Sequence, residues 1–342
     1  MTKIIVDAMG SDNSPVPDVE GAILAAREYG VEIILTGDAS KIQPILDQAL
    51  ASSGGADLPI SIVHAPEVLT MKDKGEDLVM KARHKDAQNS MAVGYDILKR
   101  GEADAFVTAG NTGAAMVTAL FRLGRIRGVD RPGLAAPFPT ATGICTVMDI
   151  GANPDCKPQN LLQFGIMGNV YAQRVRGLTN PRIGLISNGE EGGKGSELVK
   201  EAYPLMKEAN FNFVGNLEGK EIFGGEADVA VVDGFTGNVF LKSTEAVAKL
   251  LIEKIREAIK GGGPLALLGG ALIRPAMGKV RKMLDPAEEG AVPLLGVNGL
   301  VFIGHGRSDA IAIKNAIRVA KEAAEAKVLD GIKDAIEESL KK

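Results

Sequence analysis

Six short segments of this chain carry residue types that can hold an anion. Residues 8–15, 109–114, 149–154, 187–196, 233–238 and 304–309 each follow an apolar run, contain glycine and precede a helical pattern. Each also carries some of Asp, Asn, Thr, Ser and His. A turn of this kind is suited to phosphate or an oxyanion. The first N–H groups of a helix have no intrahelical partner, the helix dipole is positive there, and glycine lets a ligand approach the backbone. The fullest example is Asp228-Val-Ala-Val-Val-Asp-Gly-Phe-Thr-Gly-Asn-Val-Phe-Leu-Lys242. A valine-rich run at 227–232 reads as a buried strand, the turn 233–238 follows, and a helical pattern continues to about residue 260. One such turn could equally be an ordinary connection. In an open α/β sheet, however, ligands sit off the carboxyl ends of strands, and six such turns predict one composite site.

Among side chains with their own chemistry, Lys194 lies in a glycine-rich loop beside Glu190 and Glu191. It is either a cation aimed at an anionic ligand or a counter-charge for those acids. His305 is either a hydrogen-bonding or acid–base residue or a packed histidine closing a strand. Ser308 and Asp309 follow it, but spacing within one turn does not align a triad. The three histidines, 64, 84 and 305, are scattered without a zinc-ligand spacing. Gly193-Lys194-Gly195 lacks the Ser or Thr of a phosphate loop, and no G-x-G-x-x-G follows the first strand. Cys145 falls within a strand and Cys156 in a loop, which suits a reducing compartment without a disulfide framework.

The elements that must position these groups alternate. Strands are expected at 3–7, 31–36, 60–63, 103–108, 144–149, 183–186, 211–214, 227–232 and 300–303. Helices are expected at 16–29, 41–52, 90–100, through 123, at 158–176, after 196 and from the last strand through 324. A short amphipathic helix follows from 327. The opening βαβαβ order predicts parallel pairing with helices on both faces. Residues 66–89 interrupt it with a charged run that includes Lys72, Asp73, Lys81 and Lys85. This run is either a partly helical, mobile or cleft-lining element or a solvated arm.

Composition sets the outer limits. The 342 residues are 45% hydrophobic and 24% charged, with net charge −4 and no Trp, which fits a globular fold and argues against a nucleic-acid partner. No signal peptide is expected ahead of the first strand, and no apolar run is long enough to span a bilayer. Residues 261–284 are unusual. Leu268, Leu272, Ala276, Val280 and Leu284 recur every four residues among Arg274, Lys279, Arg281 and Lys282. That pattern suits an interfacial helix on an anionic membrane, a partner surface, or a helix pair within a dimer. Gly269, Gly270, Pro275 and Gly278 argue against one continuous helix there.

The set Val6-Asp-Ala-Met-Gly-Ser-Asp-Asn13, Ala109-Gly-Asn-Thr-Gly-Ala114, Asp149-Ile-Gly-Ala-Asn153, Asn188-Gly-Glu-Glu191, Asp233-Gly-Phe-Thr-Gly-Asn238, Pro293-Leu-Leu-Gly-Val-Asn-Gly299 and Gly304-His-Gly306 runs in order over nearly the whole chain. Together these motifs resemble the bacterial phosphate acyltransferases of phospholipid synthesis. Ser11 stands where that family often has Gly, and Glu289, Ala291 and Val292 replace a commoner Tyr-Gly-Gly-Ala-type run. The resemblance implies acyl transfer from acyl carrier protein to inorganic phosphate, giving an acyl phosphate for glycerol-3-phosphate acylation. It implies a three-layer α/β/α Rossmann-like sandwich with a largely parallel sheet, similar to phosphotransacetylases and isocitrate dehydrogenases. Residues 1–342 would form one domain, and 239–285 a protruding helical segment for dimer or membrane contact. It further implies a homodimer in the cytoplasm, held peripherally at the inner face of the membrane or against a membrane glycerol-3-phosphate acyltransferase. Phosphate is a good nucleophile and a thiolate a good leaving group, so no metal, cofactor or covalent catalyst is expected. The residues expected at the site are Asp7, Gly10, Asn111, Thr112, Gly113, Asp149, Asn153, Thr236 and Gly237 for binding, with Lys194, Asn238, His305 and Asp233 at the reacting groups. In this scheme Asn111, Thr112, Lys194 and the Thr236-Gly-Asn238 turn bind phosphate or the oxyanion. His305 orients or deprotonates phosphate, while Asp149 and Asp233 position neighbouring donors.

Overall fold

In strand β1 (Lys3–Asp7), Ile4 and Val6 enter one apolar layer and Ile5 enters another. Both faces of a central strand are therefore covered, as parallel sheets require. The computed structural model describes residues 1–52, 57–84 and 86–341, with the side chains of Ser52 and Pro286 left aside. Lys85 of the charged run lies outside the described residues.

The chain continues through α1 (Val16–Tyr29), β2 (Glu32–Gly37), α2 (Ala39–Ser52), β3 (Ile60–His64), α3 (Gly75–Arg83), α4 (Ser90–Lys99), β4 (Ala105–Thr108) and α5 (Thr112–Arg122). Next come β5 (Gly133–Thr140), β6 (Gly143–Met148), α6 (Pro158–Arg176), β7 (Arg182–Ile186), α7 (Glu197–Glu208), β8 (Asn212–Leu217), α8 (Gly219–Gly224) and β9 (Val229–Val231). The last part is α9 (Gly234–Gly261), α10 (Gly263–Met283), α11 (Pro286–Glu289), β10 (Ala291–Leu295), β11 (Val301–Gly304), α12 (Ala310–Glu325) and α13 (Val328–Ser339). Local chemistry explains many boundaries. Gly30 ends α1 in the left-handed region. Asn89, Asn111, Ser196, Asp233 and Asp309 accept a backbone N–H at the starts of α4, α5, α7, α9 and α12.

Among the described residues, eleven strands form one sheet in the order β3-β2-β1-β4-β11-β10-β5-β6-β9-β7-β8. The first five are mutually parallel. β10 is antiparallel to both neighbours, and β5 is antiparallel to β6. β6, β9, β7 and β8 are parallel to one another, so they run opposite to β1. The sheet is mostly parallel within each half, and helices cover both faces.

β5 and β10 were not expected from the sequence. Pro137 and Pro139 in β5 and Pro293 in β10 interrupt a strand pattern. Their tolerance follows from the pairing. β10 bonds β11 over Ala291–Pro293 and then switches to β5 at Leu294 and Leu295. Among the described residues, β5 beyond Leu134 is paired along one side, with β6. The Leu134 carbonyl accepts from Ile150 N–H, on the β6 side. By alternation Pro137 and Pro139 turn their missing donors to the free edge. An edge without those donors resists pairing with stray strands.

Residues 261–284 also depart from expectation. α10 is one helix through Gly269, Gly270, Pro275 and Gly278. A Cβ on Gly270 would come within 2.5 Å of Ile259, so glycine there lets α10 lie close against α9. No residue of α10 is buried.

Candidate active site

The reversal of sheet direction separates the six polar turns into two banks. Turns 8–15, 109–114 and 304–309 follow β1, β4 and β11 at one edge of the sheet. Turns 149–154, 187–196 and 233–238 follow β6, β7 and β9 at the opposite edge. The six turns therefore do not share one edge: parallel pairing holds within each half, and the antiparallel β10 and β5 reverse it between them.

A cleft of about 1070 Å³ spans both banks. Its walls include Thr112, Gly304, His305, Arg307, Ser308 and Asp309 from the first bank and Ile150, Gly151 and Asn238 from the second. Leu134, Ala136 and Phe138 of β5, Val292 of β10 and Ile303 of β11 contribute an apolar floor. Asn238, Leu241, Lys242 and Glu245 line it at the i, i+3, i+4 and i+7 positions of α9, which form one helical face. Lys279 and Lys282 at the end of α10, with Glu288 and Glu289 of α11, close another side.

The second bank is organised by the Asp149 carboxylate. It accepts hydrogen bonds from the backbone N–H groups of Leu134, Gly151, Ala152 and Asn153 and from the Asn153 side chain, at 2.7–3.1 Å. Asn153 also donates to the Pro132 carbonyl at 2.6 Å. Burial raises the Asp149 pKa against the pull of these donors. Here α9 meets the loop closely: a Cβ on Gly237 would lie 1.9 Å from the Asp149 carbonyl oxygen. Asp233 caps α9 by accepting from Thr236 N–H at 2.9 Å, while the Thr236 side chain faces outward. Asp149, Asn153, Asp233, Thr236 and Gly237 therefore shape the bank without lining the cleft, and Asn238 is the member that lines it.

The first bank has a similar interior. Asp7 is buried and accepts from Thr108 Oγ1 at 2.7 Å and Met9 N–H at 3.2 Å. Burial raises its pKa. Gly10 packs where a Cβ would meet Asp7, Thr108 and Gly110 at 2.9 Å. Asp12 N–H donates to the Gly306 carbonyl, joining two of the turns. Asn111 accepts from Ala114 N–H and donates to the Thr70 and Asp73 carbonyls, each at 3.1 Å. It thus ties the 66–89 segment to the start of α5, and Gly113 is exposed beside it. Thr112 is the residue of this turn that lines the cleft.

His305 stands in the open part of the cleft. Its Nδ1 accepts from Arg307 N–H at 3.3 Å, which leaves the ring proton to Nε2. Partial burial and the cations of Arg307 and Lys242 lower its pKa, so the ring is neutral near pH 7. Arg307 has no carboxylate within ion-pair distance among the described residues. Lys242 is 3.4 Å from Glu245, and Lys282 is 3.3 Å from Glu288.

Lys194 is exposed and is absent from the cleft walls. Its loop follows β7, the neighbour of β9, and so shares the edge of the Asn238 turn. Glu190 is paired at 2.6 Å with Lys220, which relieves Lys194 of balancing that acid. Lys220 lies among Glu190, Glu218 and Glu221, so this acidic group already holds a cation of its own. Cys145 and Cys156 are both free thiols, and burial lifts them to about 12 and about 11.

Lys242, Arg307, Lys279 and Lys282 were not singled out for the site from the sequence. Lys242 had a legible signal, because it is four residues beyond Asn238 on the same helix. Arg307 lies two residues beyond His305. The two α10 lysines had none, since their position depends on how the helical hairpin returns to the sheet.

A sheet of eleven described strands with a cleft between two oppositely directed halves defines an α/β/α protein of the phosphotransacetylase fold. A phosphotransacetylase from Streptococcus pyogenes superposes with TM-score 0.62 at 17% identity, covering 95% of this chain and 94% of that one. A branched-chain phosphotransacylase from Enterococcus faecalis V583 gives 0.59 at 15% identity, covering 95% and 99%. The family model described as "Fatty acid synthesis protein" matches residues 2–330. A phosphate acyltransferase of Pelotomaculum thermopropionicum is 47% identical over 335 residues, 98% of this chain and 95% of its own. One from Acidobacterium capsulatum is 47% identical over 328 residues, 96% and 95%. The chain belongs to the phosphate acyltransferase family, and it is an enzyme of the acyltransferase class. Among the described residues, no helix is long and apolar enough to cross a membrane.

Proposed function

We propose that this protein transfers a fatty acyl group from the thioester of acyl carrier protein to inorganic phosphate, releasing an acyl phosphate. The observation that carries this reading is the make-up of the cleft. Cations and a neutral histidine for phosphate adjoin an apolar floor for an acyl chain. A phosphate oxygen attacks the thioester carbonyl carbon, and the carbonyl electron pair moves onto oxygen. The tetrahedral intermediate then expels the thiolate, with no enzyme nucleophile involved. Rate comes from holding the two reactants together and from stabilising the oxyanion. Arg307 and Lys242 hold phosphate, Thr112 offers a hydroxyl, and Asn238 donates to the oxyanion. The Nε2–H of His305 supports an orienting role better than a basic one. Lys194 adds charge from its glycine-rich loop, and Asn111, Asp149 and Asp233 hold the turns in place.

The test is phosphate-dependent consumption of an acyl-carrier-protein thioester, with the acyl phosphate trapped by hydroxylamine. Faster turnover of acyl-CoA would favour the alternative, a phosphotransacetylase-like donor. No turnover with either donor would sink the reading.

The helical hairpin supports the other half of this proposal, a homodimer held peripherally at the inner face of the membrane. Val247, Leu250, Leu251 and Ile255 of α9 and Leu265, Leu268 and Leu272 of α10 are exposed. Contiguous exposed apolar surface of this kind marks a partner or lipid contact. Leu268→Glu with Leu272→Glu is expected to abolish co-sedimentation with anionic liposomes. Undiminished binding would leave only the dimer contact.

A further inference from the structure

We propose that Phe138 sets the longest acyl chain this enzyme accepts. The inference deepens the acyl-transfer reading above and rests on it. Leu134, Ala136 and Phe138 alternate along β5, so all three side chains lie on the same face, within one apolar layer. Leu134 begins the row beside the second bank: its N–H donates to Asp149, and its carbonyl accepts from Ile150 N–H. Ile150, Gly151 and Asn238 line the cleft at that end. The row therefore starts at the proposed oxyanion donor and runs about 14 Å along the strand to Phe138. Small Ala136 leaves room in the middle, and Phe138 is the bulkiest side chain of the row.

The Phe138 ring is held in place. Its centroid is 5.0 Å from that of Phe240 on α9, and Phe240 lies 5.6 Å from Phe223 on α8. Three rings from a strand and two helices make a wall that does not yield by a single rotamer change. Phe138 is only 2% exposed, although it borders the cleft. Beyond Phe138 the cleft is lined by Pro139, Gly143 and Ile144; a chain held on the Leu134–Phe138 face meets the ring before them, while a shorter chain leaves part of the floor empty.

Two substitutions move the wall in opposite directions. Phe138→Ala lengthens the tract, and Ala136→Phe shortens it. The measurement is kcat/KM for octanoyl, dodecanoyl, palmitoyl and stearoyl carrier-protein thioesters, with circular dichroism to confirm folding. Phe138→Ala is expected to raise the stearoyl-to-dodecanoyl ratio about tenfold or more, the scale that apolar pockets reach for a few methylenes. Ala136→Phe is expected to lower the palmitoyl-to-octanoyl ratio by a similar factor. If Phe138→Ala does not fold, Phe138→Leu should give a smaller shift in the same direction; if Ala136→Phe does not, Ala136→Leu serves likewise. Folded variants with the profile of the unaltered protein would overturn the role of Phe138 and leave the transferase reading intact. Absence of phosphate-dependent turnover by the unaltered protein with every donor would overturn that reading and this inference together.

Discussion

On the bank that follows β6 and β9, the Asp149 carboxylate is saturated by four backbone N–H groups and the Asn153 amide. On the bank that follows β11, the Arg307 guanidinium faces the cleft with no ion-pair partner among the described residues, beside a histidine whose Nε2 proton is available. Both banks are glycine-bearing strand-to-helix turns. The difference is that the turn after β6 has used its carboxylate to hold backbone, while the turn after β11 leaves its cation and imidazole N–H for a ligand. A buried carboxylate must be satisfied inside the protein because desolvation is costly, whereas a cation at an open cleft can wait for an anion. Conspicuous acids in such turns are therefore more often scaffold than chemistry.

Asn238 lies where the two banks differ most, because its amide is a polar side chain of the saturated bank that lines the cleft. Asn238→Ala is expected to lower kcat by about 10²-fold or more, the usual cost of a lost oxyanion donor. A loss under about tenfold, measured at saturating phosphate and thioester, would return Asn238 to the scaffold.

Gly237→Ala probes the scaffold itself. With a Cβ 1.9 Å from the Asp149 carbonyl oxygen, backbone must move. A destabilisation of about 3 kcal/mol is expected from overpacking of this kind. The urea midpoint of the variant measures it, and an unchanged midpoint would mean that α9 does not lie this close to the turn.

The first bank has its own buried carboxylate, Asp18, which accepts from Ser11 Oγ at 2.6 Å. Burial lifts its pKa to about 7 from 3.8, and neighbouring Asp7 adds to the rise. Folded protein therefore keeps a proton that the unfolded chain releases above about pH 4. The associated stability is present below about pH 4 and is lost as pH rises to about 7, at a cost of a few kcal/mol at most. Asp18→Asn should flatten that part of the stability profile, read as urea midpoints between pH 4 and pH 8. A slope as steep as that of the unaltered protein would remove Asp18 as its source.

Arg307→Ala is expected to raise the phosphate KM about tenfold, the size of one charge-assisted contact. Lys194→Ala should raise it only several-fold, since Lys194 acts from outside the cleft wall. Equal effects would place the two cations on the same footing and redraw the border between the banks.

Much of the fold was readable from local pattern. Valine-rich runs, capping residues such as Asp233 and Asp309, and stop signals such as Gly30 act over a few residues. β5 and β10 escaped because proline normally demotes a strand, and here it faces a free edge or a change of partner. α10 escaped because glycine and proline argue against a continuous helix, whereas Gly270 there serves close packing on α9. For the site, Thr112, Asn238 and His305 line the cleft. Asp149 and Asp233, expected to position neighbouring donors, accept backbone N–H groups, and Asn111, expected to bind the anion, bonds backbone in this structure.

What the sequence determined by itself was therefore the set of turns and the elements on either side of them. Periodicity, capping and helix-terminal N–H groups are properties of neighbouring residues. What only the tertiary structure decided was the reversal of direction through β10 and β5, which divides six similar turns into two banks and brings residues of four of them, 109–114, 149–154, 233–238 and 304–309, to one cleft. It also decided which polar groups are used up, as when Thr108 bonds Asp7 across 101 residues. The reason is physical. Strand polarity and hydrogen-bond satisfaction depend on partners far away in sequence, and no local pattern carries that information.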